Sequence, residues 1–138
     1  MKSFTSVEQS KKLAEILPIE SADLWWAERY KGEVMDNGHY VVAEKPVYYQ
    51  SFPQPSKYNY SQDIIKDIPC WSLAALIEQL PDDLIINGCS AVLWMGKKQV
   101  CYYRRDDDTS VFEYLSKGDN LLDAIVEMII KLKKDNLL

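Results

Sequence analysis

The stretch Asp67–Pro81, read as DIPCWSLAALIEQLP, carries the most complete secondary-structure signal in the chain. Ser72 is typical of a helix N-cap, because its hydroxyl can accept from a free backbone N–H group of the first turn. Trp71 and Leu76 have the spacing of a hydrophobic staple around that cap. The apolar stripe comprises Leu73, Leu76, Ile77 and Leu80. Because Pro81 cannot continue helical hydrogen bonding, we predict a helix that stops near Leu80.

Short apolar runs separated by turn residues follow this helix. Asn87-Gly88 comes after Leu84–Ile86, and Asn-Gly favours the positive φ angles of a type I′ hairpin. A second turn at Gly96–Lys98 leads into Val100–Arg105, which is rich in aromatic and β-branched residues. Val111–Leu115 fits either a fourth strand or an irregular return. The pattern predicts an antiparallel meander of three to four strands.

A C-terminal helix is predicted after Gly118-Asp119-Asn120. Its apolar face comprises Leu121, Leu122, Ile125, Met128, Ile129 and Leu132. Ala124 is small enough to let this face approach a sheet closely. We therefore expect an α+β fold in which helices pack on one face of a small antiparallel β-meander.

Two helices are predicted before residue 33. The first would begin at a capping box over Thr5–Glu8 and end at Pro18. The second would be capped by Ser21 and end near Gly32. It would carry Trp25 and Trp26 about 100° apart, so both indoles cannot face one narrow core stripe. One of them is expected to meet the following segment or a partner.

Residues 33–66 are the least regular part of the chain. Asp36-Asn37-Gly38 indicates a turn, and His39–Glu44 fits a short strand. Prolines and aromatic residues then alternate from Pro46 to Ser61, which favours an extended crossing segment held by its rings. We expect this segment to wrap a single domain spanning residues 1–138, between N-terminal helices in 1–32 and the helix, meander and final helix of 67–138.

Composition and charge argue against two classes of partner. The chain has 138 residues and a formal net charge of −5, with 21 acidic and 16 basic side chains. Nucleic-acid and membrane-surface binders need a basic patch, so neither partner is expected. Three scattered cysteines and no uninterrupted apolar run of membrane-spanning length favour a cytoplasmic protein.

Residues for catalysis or metal binding are sparse. His39 is the only histidine, and no motif places a nucleophile beside it. The cysteines lack paired metal-binding spacing, and Asp106–Asp108 lacks the glycine and closing glutamate of a calcium loop. Cys70 precedes a helix start, where a thiol can be reactive, yet no basic residue or histidine accompanies it in a motif. We predict no catalytic residue, no cofactor and no metal.

Two functional hypotheses remain. The first is a non-enzymatic interaction protein that uses exposed aromatic side chains against a protein partner. Its candidate contact residues are Trp25, Trp26, Tyr48, Tyr49, Tyr58 and Tyr60. The second is a small-molecule or nucleotide-binding protein with a pocket between the crossing segment and the sheet. That pocket would be lined by Tyr48, Tyr49, Tyr58 and Tyr60.

Three segments carry a family resemblance. They are SFTSVEQSKKLAEIL at residues 3–17, IPCWSLAALIEQLP at 68–81 and NLLDAIVEMIIKL at 120–132. Together with the hairpin strands between them, they resemble a family of small uncharacterised proteins typical of Bacteroidota gut bacteria and their phage-like or mobile elements. The resemblance rests on capping and packing patterns, so it names no activity and carries over no catalytic or ligand residue. The mobile-element context of the family implies an accessory protein.

Overall fold

The computed structural model describes residues 2–31, 39–42, 46–48, 64–106 and 109–138. These residues form three α-helices, one short 3-10 helix and eight strands. The strands make two antiparallel sheets, so the predicted α+β class is confirmed. The chain divides into two compact units, which are described separately. The first unit is Ser6–Ser72, and the second combines Met1–Thr5 with Leu73–Leu138.

Helix α1 of the first unit spans Val7–Ala14. Its cap is a reciprocal pair one residue later than predicted: Gln9 N donates to Ser6 Oγ at 3.2 Å, and Ser6 N donates to Gln9 Oε1 at 3.0 Å. The predicted box over Thr5–Glu8 is therefore wrong in register, although the Ser-x-x-Gln spacing obeys the same rule. Leu13 is buried on the inner side of α1, which packs on the last strand of this unit.

The predicted second helix is wrong. A 3-10 turn at Ile19–Ser21 leads instead into strand β1, Leu24–Lys31. Successive side chains of a strand point to opposite faces, so Trp25 and Trp26 lie on opposite faces of β1. The indole of Trp26 is buried and that of Trp25 is half-buried. Aromatic side chains favour strands, and this preference outweighs the helix-capping signal of Ser21.

Strand β1 organises the first sheet. The other strands are β2 at His39–Val42, β3 at Val47–Tyr48 and β4 at Ile64–Cys70. Leu24 pairs with both Tyr48 and Cys70, and Glu28 pairs with both Val42 and Lys66. Because a strand has only two edges, β2 and β3 lie along one edge of β1 and β4 lies along the other. The short strand predicted over His39–Glu44 matches β2, whereas β4 was not predicted: its residues 64–66 were expected to be irregular and 67–70 to lead directly into the central helix.

The second unit contains the meander and two helices. Its elements are α2 at Leu73–Gln79, β5 at Asp83–Ile86, β6 at Cys89–Met95, β7 at Gln99–Asp106, β8 at Thr109–Lys117 and α3 at Leu121–Lys134. Helix α2 starts directly after Ser72, as predicted. Val111–Leu115, for which the sequence left a fourth strand or an irregular return open, belongs to the fourth strand of the meander, β8. The strand order β5-β6-β7-β8 is an antiparallel meander.

Local turn chemistry sets the register of this meander. Asn87 and Gly88 have φ angles of 52° and 78°, as a two-residue hairpin with two positive φ angles requires. They connect Ile86 to its cross-strand partner Cys89. The second turn is closed by a bond of 2.8 Å from Gly96 N to the Gln99 carbonyl oxygen. Both predicted turns are confirmed.

One face of the meander packs against a helix. Helix α3 contacts β7 and β8, and it also contacts α2. Its buried residues are Leu122, Ala124, Ile125, Val126, Met128, Ile129 and Leu132. The strands contribute Leu84, Ala91, Val100 and Tyr102 to the covered face. Successive side chains of a strand point to opposite faces, so the residues next to these in the sequence point away from α3. They form the second side of the sheet, which α3 does not cover.

Candidate functional site

The uncovered side of the meander is the strongest candidate for a functional surface. Trp94 pairs with Cys101, and Cys101 pairs with Leu115, so these side chains form one row across three strands. Val92 and Tyr103 form the next row, one side-chain repeat along the strands. Cross-strand partners share a face of the sheet. We call the side formed by Ile85, Val92, Trp94, Cys101, Tyr103 and Leu115 the open face.

Large apolar side chains of the open face are exposed. Ile85 is 71% exposed, Val92 47%, Trp94 45% and Leu115 37%. Cys101 lies between Trp94 and Leu115 in the register and is fully buried. Isolated exposed apolar residues are ordinary, but a contiguous exposed apolar patch is typical of an interaction surface. The register places these exposed apolar side chains on the same face of β5 to β8, which favours the open face as an interaction surface.

The Trp94 ring is positioned by a neighbouring glycine. A Cβ atom added at Gly96 would lie 3.0 Å from Trp94 Cη2 and 3.2 Å from Cζ3. The six-membered ring therefore lies against the backbone at Gly96, where any larger residue would press on it. Since Gly96 also closes the β6–β7 turn, the indole stands on a fixed part of the sheet. A rigid aromatic side chain of this kind loses little conformational entropy on binding.

Charges of both signs lie beside the open face. Asp83 shares the row of Val92 at the β5 edge and accepts a long hydrogen bond of 3.4 Å from the Ser90 hydroxyl. Lys117 lies at the β8 edge, two residues beyond Leu115 on the same face. Both side chains are exposed. Among the side chains whose exposure is described, further exposed charges near the open face include Asp82, Lys97 and Lys98. The surroundings of the open face are therefore mixed in charge, unlike the acidic chain as a whole.

The aromatic residues predicted as contacts have different locations. Trp26 is 6% exposed and Trp25 is half-buried, both on β1 of the first unit. The backbone of Tyr48 pairs with Leu24. Tyr49, Tyr58 and Tyr60 lie outside the described residues, as does the rest of the crossing segment after Tyr48. Their role in binding stays a prediction.

Val92 and Trp94 were not among the contact residues predicted from the sequence, although the signal of the open face is present in strand β6. The run CSAVLWM places Ala91, Leu93 and Met95 on one side of the strand, and it places Val92 and Trp94 on the other. A strand with one wet side normally alternates between apolar and polar residues. Apolar residues at both parities therefore indicate a strand whose second side is also available for burial.

Burial suppresses the ionisation of one thiol and one phenol of the second unit. Burial raises the pKa of the Cys101 thiol above its ordinary value of 9.0. Burial, reinforced by the carboxylates of Asp82 and Asp83, raises the pKa of Tyr102 well above its ordinary value of 10.0. The Tyr102 hydroxyl donates to the Pro81 carbonyl oxygen at 2.6 Å, which fixes it as a neutral donor. Both groups are protonated at neutral pH and serve the packing of the sheet.

Cys70 and the carboxylates give no reactive cluster in the described part of the chain. Cys70 is fully buried, so its thiol is not presented to solvent. No group of three or more histidine, cysteine, aspartate or glutamate side chains in this part could hold a metal ion. Among the helices of the described ranges, none is long and apolar enough to cross a membrane. Comparison of the chain with protein-family models, curated proteins and solved structures found no match.

Proposed function

We propose that this chain is a non-enzymatic protein-interaction protein and that the open face of the meander binds the partner. The observation that carries the proposal is the exposure of Val92 and Trp94 on β6 and of Leu115 on β8, all on the same face of the meander. An accessory role on a mobile element, which the family resemblance implies, belongs to the same proposal.

Trp94 has the properties of an energetic centre for such an interface. It lies on β6, an inner strand, next to Cys101 on β7, and Leu115 on β8 follows in the same row. Tryptophan is enriched among residues that dominate binding energy, particularly near the centre of an interface. Because the ring of Trp94 rests against Gly96, a partner would meet it already oriented. Mixed charges at the edges supply the polar rim that protein interfaces normally have.

Single-stranded nucleic acid fits this surface less well. Aromatic side chains can stack on bases, but nonspecific binders combine them with a basic groove that follows the phosphates. The exposed Asp83 carboxylate lies in the same row as Val92, where a phosphate backbone would be repelled. A protein surface with apolar and mixed polar groups is the better complement.

Site-specific crosslinking tests the proposal directly. A photoreactive amino acid replaces Val92 on the open face, and in a matched control it replaces Lys133, which is exposed on α3. Each variant is irradiated in an extract of the native host. We expect a discrete crosslinked protein with the probe at 92 and none with the probe at 133.

A second variant makes the result specific to the surface. Adding Trp94→Ser to the Val92 probe removes the proposed central contact and should abolish the adduct, while thermal unfolding verifies that the sheet remains folded. An adduct that persists in Trp94→Ser, or equal labelling from both probe positions, would show that the open face is not the binding surface.

A further inference from the structure

We propose that the partner of the open face is a second copy of this chain, packed face to face about a two-fold axis. This inference rests on the proposed function and names its partner. In a two-fold interface the same patch is used by both subunits, so each contact occurs twice with the residues exchanged. The patch must therefore complement itself in both shape and charge.

The charges of the open face meet that requirement. Asp83 lies on the outer strand β5, and Lys117 lies on the outer strand β8 of the same face. A two-fold axis in the plane of the interface can bring Asp83 of each copy against Lys117 of the other. A uniformly basic partner would meet Lys117 unfavourably, and a uniformly acidic partner would meet Asp83 unfavourably. A second copy satisfies both charges at once.

The register also gives the packing angle. Asp83 and Lys117 are separated by three strand spacings, about 14 Å, and by four residues along the strands, also about 14 Å. The axis that exchanges them therefore lies at about 45° to the strands, and the two sheets cross at about 90°. Orthogonal crossing is one of the two preferred geometries for packed sheets.

The same axis passes through the aromatic centre. The midpoint between Asp83 and Lys117 falls in the row of Trp94, between this residue and Cys101. The two Trp94 indoles of a dimer would therefore meet near the axis, where each side chain is surrounded by the other copy. Placing the exposed Trp94 ring at the centre and the opposite charges at the edges reproduces the usual core and rim of an interface.

The size of the face predicts a weak dimer. Four strands about 4.8 Å apart, with about seven residues each, cover roughly 450 Å² per copy and about 900 Å² in total. This area lies near the lower limit for a specific interface. We therefore expect a dissociation constant in the micromolar range and a mass that depends on protein concentration.

Sedimentation equilibrium of the full chain from about 1 μM to about 500 μM tests the inference. We expect the mass to rise from 16.0 kDa toward twice that value. Trp94→Ser should stay monomeric over the whole range, whereas the control Lys133→Ser should dimerise like the original chain. Thermal unfolding of each variant verifies folding.

A charge exchange distinguishes the specific axis from loose apolar association. Asp83→Lys places like charges together at both edges and should weaken the dimer about tenfold, as should Lys117→Asp. The double variant should regain most of the affinity, because each new charge again meets its opposite. Equal affinity of all four proteins would overturn the proposed axis.

The outcomes also separate this inference from the proposed function. The chain could be monomeric at every concentration while the probe at residue 92 labels another protein. This result would overturn the second-copy inference and support the proposed function. A monomeric chain with no adduct rejects both. A dimer that survives Trp94→Ser overturns the inference, since its interface then lies elsewhere.

Discussion

The carboxylate of Asp23 holds Ser72 by two hydrogen bonds. The backbone N–H of Ser72 donates to Asp23 Oδ1 at 2.8 Å, and the Ser72 hydroxyl donates to Oδ2. Asp23 directly precedes β1, and Ser72 follows the end of β4. Because Leu24 pairs with Cys70, these bonds close the end of the β1–β4 ladder. They connect two residues that are 49 positions apart in the sequence.

Asp23→Ala should therefore destabilise the first unit by about 2–3 kcal/mol, since a hydrogen bond to a charged group contributes more than a neutral one. Ser72→Ala keeps the backbone bond to Asp23 and loses the hydroxyl bond to it, so we expect a smaller loss of about 1 kcal/mol. Urea unfolding of both variants measures the difference. Equal losses would mean that the backbone bond to Asp23 contributes nothing.

Trp71 should be the most costly single truncation near this ladder. Its side chain is fully buried, and its indole Nε1 donates to the Ser21 hydroxyl oxygen at 2.9 Å. The Ser21 hydroxyl in turn donates to the Pro18 carbonyl oxygen at 2.6 Å. Trp71→Ala leaves a large cavity and should lower the free energy of unfolding by about 3–5 kcal/mol.

Ser21→Ala provides the matched control for the Trp71 truncation. It removes the acceptor of the indole but leaves the ring in place, so its cost should stay near 1–2 kcal/mol. Denaturant titrations followed by circular dichroism compare the two variants. If Trp71→Ala unfolds at the same urea concentration as the original chain, the indole does not support the fold.

Gly118 and Gly88 should respond differently to the same substitution. A Cβ atom at Gly118 would lie 2.9 Å from the backbone N of Ala124, so Gly118→Ala must displace the start of α3. We expect a loss of about 2–3 kcal/mol, as for an overpacked site. Gly88→Ala meets nothing within 4 Å and suffers only from a φ of +78°, which costs about 1–2 kcal/mol. Melting temperatures rank the two variants, and a greater loss for Gly88→Ala would contradict this order.

The elements predicted correctly from the sequence are those defined by neighbouring residues. The turn at Asn87-Gly88 is encoded by two side chains, and α3 begins at the Asn120 cap, whose Oδ1 accepts from Asp123 N at 2.9 Å. Both signals are local, so periodicity and capping rules recognise them. The meander follows from such signals taken in order.

Strand β1 could not be recognised in the same way. Ser21 and Gly32 have the spacing of helix caps, but the buried Trp26 lies on a strand and pairs with Ile68, more than 40 residues away. Long-range pairing of this kind leaves no periodic trace in the local sequence. The open face could be predicted only in part. Strand β6 has apolar residues on both of its sides, but its sequence does not show which strands lie beside Trp94.

Tyr102 should make the second unit sensitive to alkaline pH. Because burial and then Asp82 and Asp83 raise the pKa of Tyr102 in the folded chain, the unfolded chain loses this proton first, near its ordinary value of 10.0. The contribution of Tyr102 to the free energy of unfolding is thus complete below pH 10 and falls as pH rises above it, by at most about 1.4 kcal/mol per pH unit.

Tyr102→Phe loses the bond to Pro81 and should be about 1 kcal/mol less stable at pH 7. Between pH 10 and 11 this deficit should shrink, because phenylalanine does not ionise. Urea unfolding at pH 7, 10 and 11 measures both proteins, and a constant difference would show that Tyr102 is not protected from ionisation.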